Sequence, residues 1–306
     1  STFIRKAYYV AAMKSSTRTT ASGKTSVISD RFTVIPDRFT VIPDLIGNLK
    51  TLKTMKKNIL SALAICAALL GCQKNEISET RTSGVELHAT IEDETVMDEN
   101  NNIRWSEGDQ IIAFMKSSYG HKYKLISSFV GKTYADFEPA TSAGGNLSAG
   151  TEWNHNVVYY PYSADVEAIK SGDNYTLSVV LPSEQTYAAE SFGNGSMAMV
   201  AVSEDNNITF RNVLGGMKLQ FKGTQKVKSI KLEGKNNEKL SGAATVTAYT
   251  DETKPAITMA SGAFTSVTLD CGSGVQLNES SATEFIIALP PVLFSKGFTV
   301  TITDGA

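Results

Sequence analysis

The chain has 306 residues and near-balanced charge, 29 Lys+Arg against 31 Asp+Glu. The balance hides a split: residues 1–71 hold 11 basic and 3 acidic side chains, whereas residues 72–306 hold 18 and 28. An acidic main body argues against a nucleic-acid partner, and 3 cysteines in all rule out a disulfide framework.

Residues 1–54 carry a tandem heptapeptide, Asp30–Pro36 repeated at Asp37–Pro43, and then Asp44-Leu-Ile-Gly. Structural repeats need units of about 20–50 residues, so this stretch is expected to be an unprocessed or non-native leader, disordered and without a packed domain. Met55 is read as the true start. Lys56 and Lys57 follow it, then an apolar run from Ile59 to Leu70, then Gly71 and Cys72. A basic head, a short apolar core and a small residue at the cut make a secretory signal peptide, residues 55–71. The run is too short for a membrane span, which needs roughly 20 residues. Leu69-Leu-Gly-Cys72 resembles a bacterial lipobox. The resemblance implies cleavage between Gly71 and Cys72, acylation of Cys72 (palmitate among the chains) and anchoring in outer-membrane lipid, for which two or more acyl chains suffice. Residues 72–83 are polar and read as a tether. With Cys66 in the signal and Cys72 lipidated, Cys271 is left without a partner for a disulfide.

Val85, Leu87, Ala89 and Ile91 alternate with polar residues, the period of a half-buried strand. Residues 92–102 are an acidic loop. Trp105-Ser-Glu-Gly-Asp109 is a turn leading into a strand through Met115. Further strands are expected at Tyr119–Val130, Tyr134–Glu138, Asn156–Tyr162, Tyr175–Leu181 and Met197–Val202, with a helical turn at Ala164–Lys170 and an irregular segment at Ser183–Gly195. Glu204-Asp-Asn-Asn207 is the expected boundary between domains 84–205 and 206–306. Beyond it, short strands recur at Ile208–Phe210, Gly216–Phe221, Val227–Leu232, Ala244–Tyr249, Ala256–Met259, Ser266–Leu269, Phe285–Leu289 and Gly297–Thr303. Many short strands separated by Gly, Asn and Asp predict an all-β chain of sandwiches or barrels. The last strand breaks off at a starting turn, Asp304-Gly-Ala306, so the second domain is expected to be incomplete.

Residues that could carry chemistry are scattered. His88, His121 and His155 lack companions at a metal-ligand spacing, so no metal or cofactor is expected. Gly193-Asn-Gly-Ser196 lacks the second flanking glycine of a nucleophile elbow. Asp93, Glu94, Asp98 and Glu99 lack the ligand spacing of a calcium loop. Lys218, Lys222, Lys226, Lys228, Lys231, Lys235 and Lys239 could form an anion-binding patch, but they read more simply as the wet side of alternating strands. Trp105, Trp153, Tyr159, Tyr160 and Tyr162 could stack on sugars, or serve as core. Nothing here proposes a reaction, and the chain is not expected to be an enzyme.

Taken in order, several blocks resemble the fimbrillin-like surface lipoproteins of Bacteroidetes, which include pilin subunits and adhesins. These are the signal ending at Cys72, Trp105-Ser-Glu-Gly-Asp109, Tyr159-Tyr-Pro-Tyr162, Leu181-Pro-Ser-Glu-Gln185, Thr209–Leu214 before Met217–Phe221, Ala288-Leu-Pro-Pro-Val-Leu-Phe294 and Gly297-Phe-Thr-Val300. The resemblance implies two tandem transthyretin-like β-sandwiches, display at the cell outer membrane or in fimbriae, and a structural or adhesive role without a catalytic site. It also implies assembly with other fimbrial subunits by strand exchange. In that scheme Val85–Ile91 is a removable strand and Arg104 the protease site, with Arg81 as the alternative; the simpler reading of Arg104 is the start of the next strand. A stand-alone surface module binding glycan or host ligands is the alternative function, and it would need exposed aromatics in a coplanar set. A shallow-site hydrolase would need two carboxylates about 5–9.5 Å apart.

Overall fold

The structure, a computed structural model, describes residues 25–28 (backbone only), 85–92, 103–140, 149–251 and 253–304. The lipobox with Gly71 and Cys72, the site at Arg81 and the acidic group Asp93, Glu94, Asp98 and Glu99 lie outside the described residues. The strands of the first half are β1 (Thr25–Ile28), β2 (Leu87–Ile91), β3 (Gln110–Met115), β4 (Gly120–Leu125), β5 (Tyr134–Pro139), β6 (Asn156–Tyr160), β7 (Glu167–Ser171), β8 (Asn174–Leu181) and β9 (Glu184–Thr186). Those of the second half are β10 (Met199–Ser203), β11 (Asn207–Asn212), β12 (Gly215–Phe221), β13 (Lys226–Gly234), β14 (Gly242–Ala248), β15 (Ala256–Met259), β16 (Ser266–Gln276), β17 (Thr283–Leu289) and β18 (Phe298–Asp304). The protein is all-β in several sheets. Among the described residues the only helical piece is a 3-10 turn at Ser127–Phe129.

Seven strands close a barrel in the order β10-β11-β2-β5-β4-β3-β6, with β6 pairing back onto β10. All are antiparallel neighbours except β2 and β11, which run parallel with His88 opposite Asn207. β2 alternates buried and exposed residues and β11 does so through Phe210, so one face of each is wet. β3 from Ile111, all of β6 and Met199–Ala201 of β10 are buried without interruption. Strands covered on both faces carry such unbroken apolar runs. Their cover is a second sheet, β15-β14-β8-β7. Its inner residues Tyr175, Leu177 and Val179 of β8, and Ala244, Val246 and Ala248 of β14, join the core of the barrel. Trp153 bridges the layers, with its ring 6.3 Å from Phe114 and 5.0 Å from Tyr175.

A second core fills a sandwich in which β12 and β17 face the sheet β1-β18-β13-β16-β9. Met217, Leu219 and Phe221 of β12, with Phe285 and Ile287 of β17, meet Ile230, Leu232, Val267, Leu269 and Val300. The buried free thiol of Cys271 is among them. The chain passes from the first core to the second between Leu214 and Met217, just past β11, and returns to the first with Ala244, Val246 and Ala248 of β14 and with Ala288. Hydrogen bonding does not stop there. β8 pairs with β14 along seven residues, Tyr175–Leu181, and β9 pairs parallel with β16. With β11 in the barrel, strands from both sides of residues 205 and 206 thus share three sheets.

Local differences from expectation have tertiary causes. The segment expected as a helical turn, Ala164–Lys170, instead yields β7, because Gly172 (φ 63°) turns it back onto β8 as a hairpin. The expected strand Tyr119–Val130 ends at Leu125 and closes in the 3-10 turn. The irregular segment Ser183–Gly195 contains β9, a short strand that takes its partner from β16. Within residues 1–54, Thr25–Ile28 pairs antiparallel with β18, so this part of the leader is a strand.

Candidate functional site

Two of the motif blocks build a buried frame. Trp105 is 1 % exposed and meets Phe137, Tyr160 and Phe210 edge-on, with centroids 5.0, 5.5 and 5.6 Å away. Gly108 (φ 82°) turns the chain so that Asp109 faces inward. The Asp109 carboxylate accepts from the Ser106 N–H at 2.6 Å and from the Tyr160 hydroxyl at 2.8 Å. Loss of water raises the Asp109 pKa above the ordinary value, and the bonds from Ser106 and Tyr160 only partly offset this. The Tyr160 hydroxyl in turn accepts from the Gly195 N–H at 3.0 Å. Burial, with the Asp109 charge beside it, raises its own pKa.

That last contact explains Gly193-Asn-Gly-Ser196. A Cβ at Gly193 would collide with the Thr186 carbonyl, Gly195 has φ 71°, and Ser196 is 3 % exposed. The loop supports Tyr160 and presents no nucleophile. Gln185 ties the other blocks together. Its side-chain amide donates to the Ala288 carbonyl at 2.8 Å and accepts from the Ala288 N–H at 2.9 Å. Leu181-Pro-Ser-Glu-Gln185 and Ala288-Leu-Pro-Pro therefore meet, and β9 is stitched to β17 by a side chain that mimics a strand.

The remaining residues singled out from the sequence do not converge. His88 pairs with Asp136 at 2.7 Å on the wet face of the barrel. His121 stands alone on β4, its pKa lowered by burial. His155 lies 3.3 Å from the Tyr175 hydroxyl. Trp105, Trp153, Tyr159 and Tyr160 are buried, and Tyr162 is half-buried with Lys122 over its ring. The simpler reading of these positions holds: the rings are core, with Tyr162 at its rim. The lysines are dispersed among partners: Lys218 pairs with Glu284 at 3.1 Å, Lys231 with Glu233 at 3.3 Å, and Lys222 donates to the Ser280 carbonyl at 3.0 Å. Arg104 is exposed and donates to the Gly131 carbonyl at 2.9 Å; β3 starts only at Gln110, beyond the Gly108 turn, so Arg104 does not begin that strand. β2, the strand ahead of it, is bonded on both sides, to β11 and β5. Among the described residues no three His, Cys, Asp or Glu side chains converge as metal ligands.

Two surface features remain. One is the flank of β18: its inner side pairs with β13, and its outer side takes β1, with Thr25 opposite Thr303 and Ile28 opposite Val300. The other is a cleft of about 190 Å³ between the wet face of β10 and β11 and the loop joining β14 to β15. Val200 and Ala248 are its buried floor, with Val202 and Pro255 half-buried beside them. Asn207, Thr209, Asp251 and Thr253 are exposed at its rim. Arg211 crosses the gap and donates from one nitrogen to the Asp251 and Thr253 carbonyls, at 3.3 and 3.2 Å. The Asp251 carboxylate caps the Thr253 N–H at 2.9 Å, and the bonds from Thr253 hold its pKa below the usual value. On the facing wall Asp205 caps the Asn207 N–H at 2.8 Å, and Asn156 donates to the Asp205 carbonyl at 2.7 Å. Main-chain groups thus anchor both walls. No residue pattern announced this cleft, because its halves come from separate stretches, residues 200–211 and 248–255, that meet only in the fold.

Compared with protein-family models, with characterised proteins and with solved structures, the chain matches none.

Proposed function

We propose that this is a lipid-anchored, fimbrillin-like protein of the bacterial cell surface, a structural or adhesive subunit of fimbriae built on tandem transthyretin-like sandwiches. Acylated Cys72 would hold it in the outer membrane, and the chain would act by binding and assembly, without catalysis. The observation that carries the reading is the flank of β18. It accepts an antiparallel strand from a segment more than two hundred residues away in sequence, Thr25–Ile28. If export cuts the chain before Cys72, β1 leaves with the leader, and the outer edge of β18 that β1 covers, Val300–Thr303, is freed for another strand. Such an edge pairs with another chain's strand unless it is blunted or covered. The motif blocks support the same reading, since Trp105, Asp109, Gln185 and Ala288 use their contacts to join the sheets.

The test is the complete gene expressed from Met55 in a Bacteroidetes host, with sheared surface protein run unheated on an SDS gel. Strand-exchanged polymers give a ladder that collapses on boiling. A single monomer band in unheated samples sinks the assembly reading.

A further inference from the structure

The end of the sandwich where β13 stops carries an apolar tip. Three loops meet there: residues 235–241 between β13 and β14, 260–265 between β15 and β16, and 290–297 between β17 and β18. The first is the hub. On one side the Gly234 and Leu240 N–H groups donate to the Thr265 and Phe264 carbonyls, at 3.1 and 2.8 Å. On the other the Lys235 N–H donates to the Gly297 carbonyl at 3.1 Å, and the Asn236 amide to the Ser295 hydroxyl at 3.0 Å. β16 and β18 flank β13, so the two outer loops enter their strands about 10 Å apart.

Each outer loop presents an exposed apolar side chain, Phe264 at 60 % and Leu293 at 75 %. Both are pinned. The Phe264 N–H donates to the Ser241 carbonyl at 2.8 Å. Leu293 sits between Val292 and Phe294, which pack on the second core, and the Phe294 ring meets Phe298 at 5.1 Å. Pro291 is exposed in the same loop. An exposed apolar cluster of this kind marks a contact surface, where a scattered leucine does not.

Charge frames the tip. Its three loops hold Lys235, Lys239 and Lys296 against one acid, Glu238. Glu238 is 8 % exposed and accepts from the Asn236 N–H at 2.7 Å. The nearest acids on the sheet behind are Glu233, paired with Lys231, and Glu184, on β9 opposite Thr268. Among the described residues none of the three lysines is in an ion pair. A projecting tip is the wrong shape for a small molecule, whose sites are concave. Its apolar side chains need a phase that yields around them, and its lysines need negative charge at the border of that phase. A bilayer with anionic headgroups supplies both.

We propose that this tip docks the protein on an anionic lipid surface, with Phe264 and Leu293 in the boundary between acyl chains and headgroups and Lys235, Lys239 and Lys296 on the headgroups. The contact needs neither acylated Cys72 nor polymerisation, so the gel experiment and this one fail independently.

The test puts a reporter in the tip of the full chain. Trp105 and Trp153 are buried in the first core and stay dark to quenchers in a bilayer. Leu293→Trp is mixed with vesicles of dibrominated phosphatidylcholine, with or without about 30 mol % phosphatidylglycerol. Tyr119→Trp, at an exposed position before β4, controls for binding through any other segment, the apolar run Ile59–Leu70 included. Anionic vesicles should quench the Leu293→Trp emission at least about twofold, and neutral vesicles or the control should show no such loss. Changing Lys235, Lys239 and Lys296 to Gln should weaken the docking read by this quenching about fivefold per lysine. Phe264→Ser should weaken it about tenfold. The proposal is overturned if anionic vesicles leave the Leu293→Trp emission unchanged, even where the chain binds them through another segment. It is equally overturned if neutral vesicles quench as well as anionic ones, or if the lysine changes have no effect. A dimer in sedimentation that Phe264→Ser dissociates overturns it too, since the occupant is then a second copy.

Discussion

The two cores of this molecule bury their strands in different ways. In the barrel β3, β6 and β10 lie between layers, with apolar side chains above and below, and the second sheet acts as an outer wall. In the sandwich most strands alternate: β12 buries Met217, Leu219 and Phe221 and turns Lys218 and Gln220 outward. A strand covered on both faces has no tolerant side, whereas an alternating one offers a surface that can change freely. The barrel should therefore resist substitution almost everywhere along β3 and β6, and the sandwich only at every second residue of its alternating strands; β17, buried from Phe285 to Leu289, belongs with the former.

The contrast can be tested with probes native to each half. Both tryptophans, Trp105 and Trp153, lie in the barrel core, and the Cys271 thiol lies in the sandwich core. Trp105→Ala should have the largest effect, about 3–5 kcal/mol, because it empties the contact among Phe137, Tyr160 and Phe210. Urea denaturation followed by Trp153 fluorescence measures it. Thiol labelling of Cys271, in a chain with Cys66 and Cys72 changed to serine, follows the other core. Burial pushes this thiol up to about 11, so native labelling is slow. If the β8–β14 ladder couples the halves, the two probes give one midpoint and Trp105→Ala shifts both. Separate midpoints would show that the sheet joins the halves without making them cooperative.

Gln185→Leu comes next. It leaves the Ala288 N–H and carbonyl buried and unpaired, with an expected cost of about 2–4 kcal/mol. Faster amide exchange at Ala288 is the specific readout, and an unchanged rate would remove Gln185 from the frame. Asp109→Asn is smaller and depends on pH. The folded pKa of Asp109 is raised above 3.8, so its contribution is fully present below that value and is lost as pH rises through the folded pKa. Wild type should therefore lose ground to Asp109→Asn as pH climbs from about 3 toward 8, read as the difference in Tm. A constant difference would mean that the carboxyl does not titrate there. Lys231→Ala, on the wet face beside Glu233, should move stability by no more than about 0.5 kcal/mol. A larger loss would show that the outward side of the sandwich is not tolerant.

These residues also mark what could be read from the sequence. The alternation of Val85 to Ile91 and of Met217 to Phe221 follows from a single wet face, and the all-β class came from such runs. Unbroken runs such as Val157–Tyr160 show that both faces are covered but not by what. The cover comes from β8 and β14, whose pairing spans the expected boundary, and no local pattern encodes a partner that distant. Trp105, Asp109 and Gln185 stood out as motif members, yet their contacts with Tyr160 and Ala288 are tertiary. The cleft was invisible for the same reason: Arg211 and Asp251 are ordinary residues until the second sheet folds over β10 and β11. Its Tyr249 gave no signal beside the denser aromatic cluster at Tyr159–Tyr162, which proved to be core.

The shared sheet also constrains how the protein is made. A chain is made from its N-terminus, and a segment can pair only with what has already emerged. The β7–β8 hairpin emerges long before β14, and until Gly242–Ala248 follows, one side of Asn174–Leu181 is a bare edge. During that interval the edge is open to pairing with another chain. A holdase shielding that edge, or rapid completion of the chain, would decide how much protein folds intact.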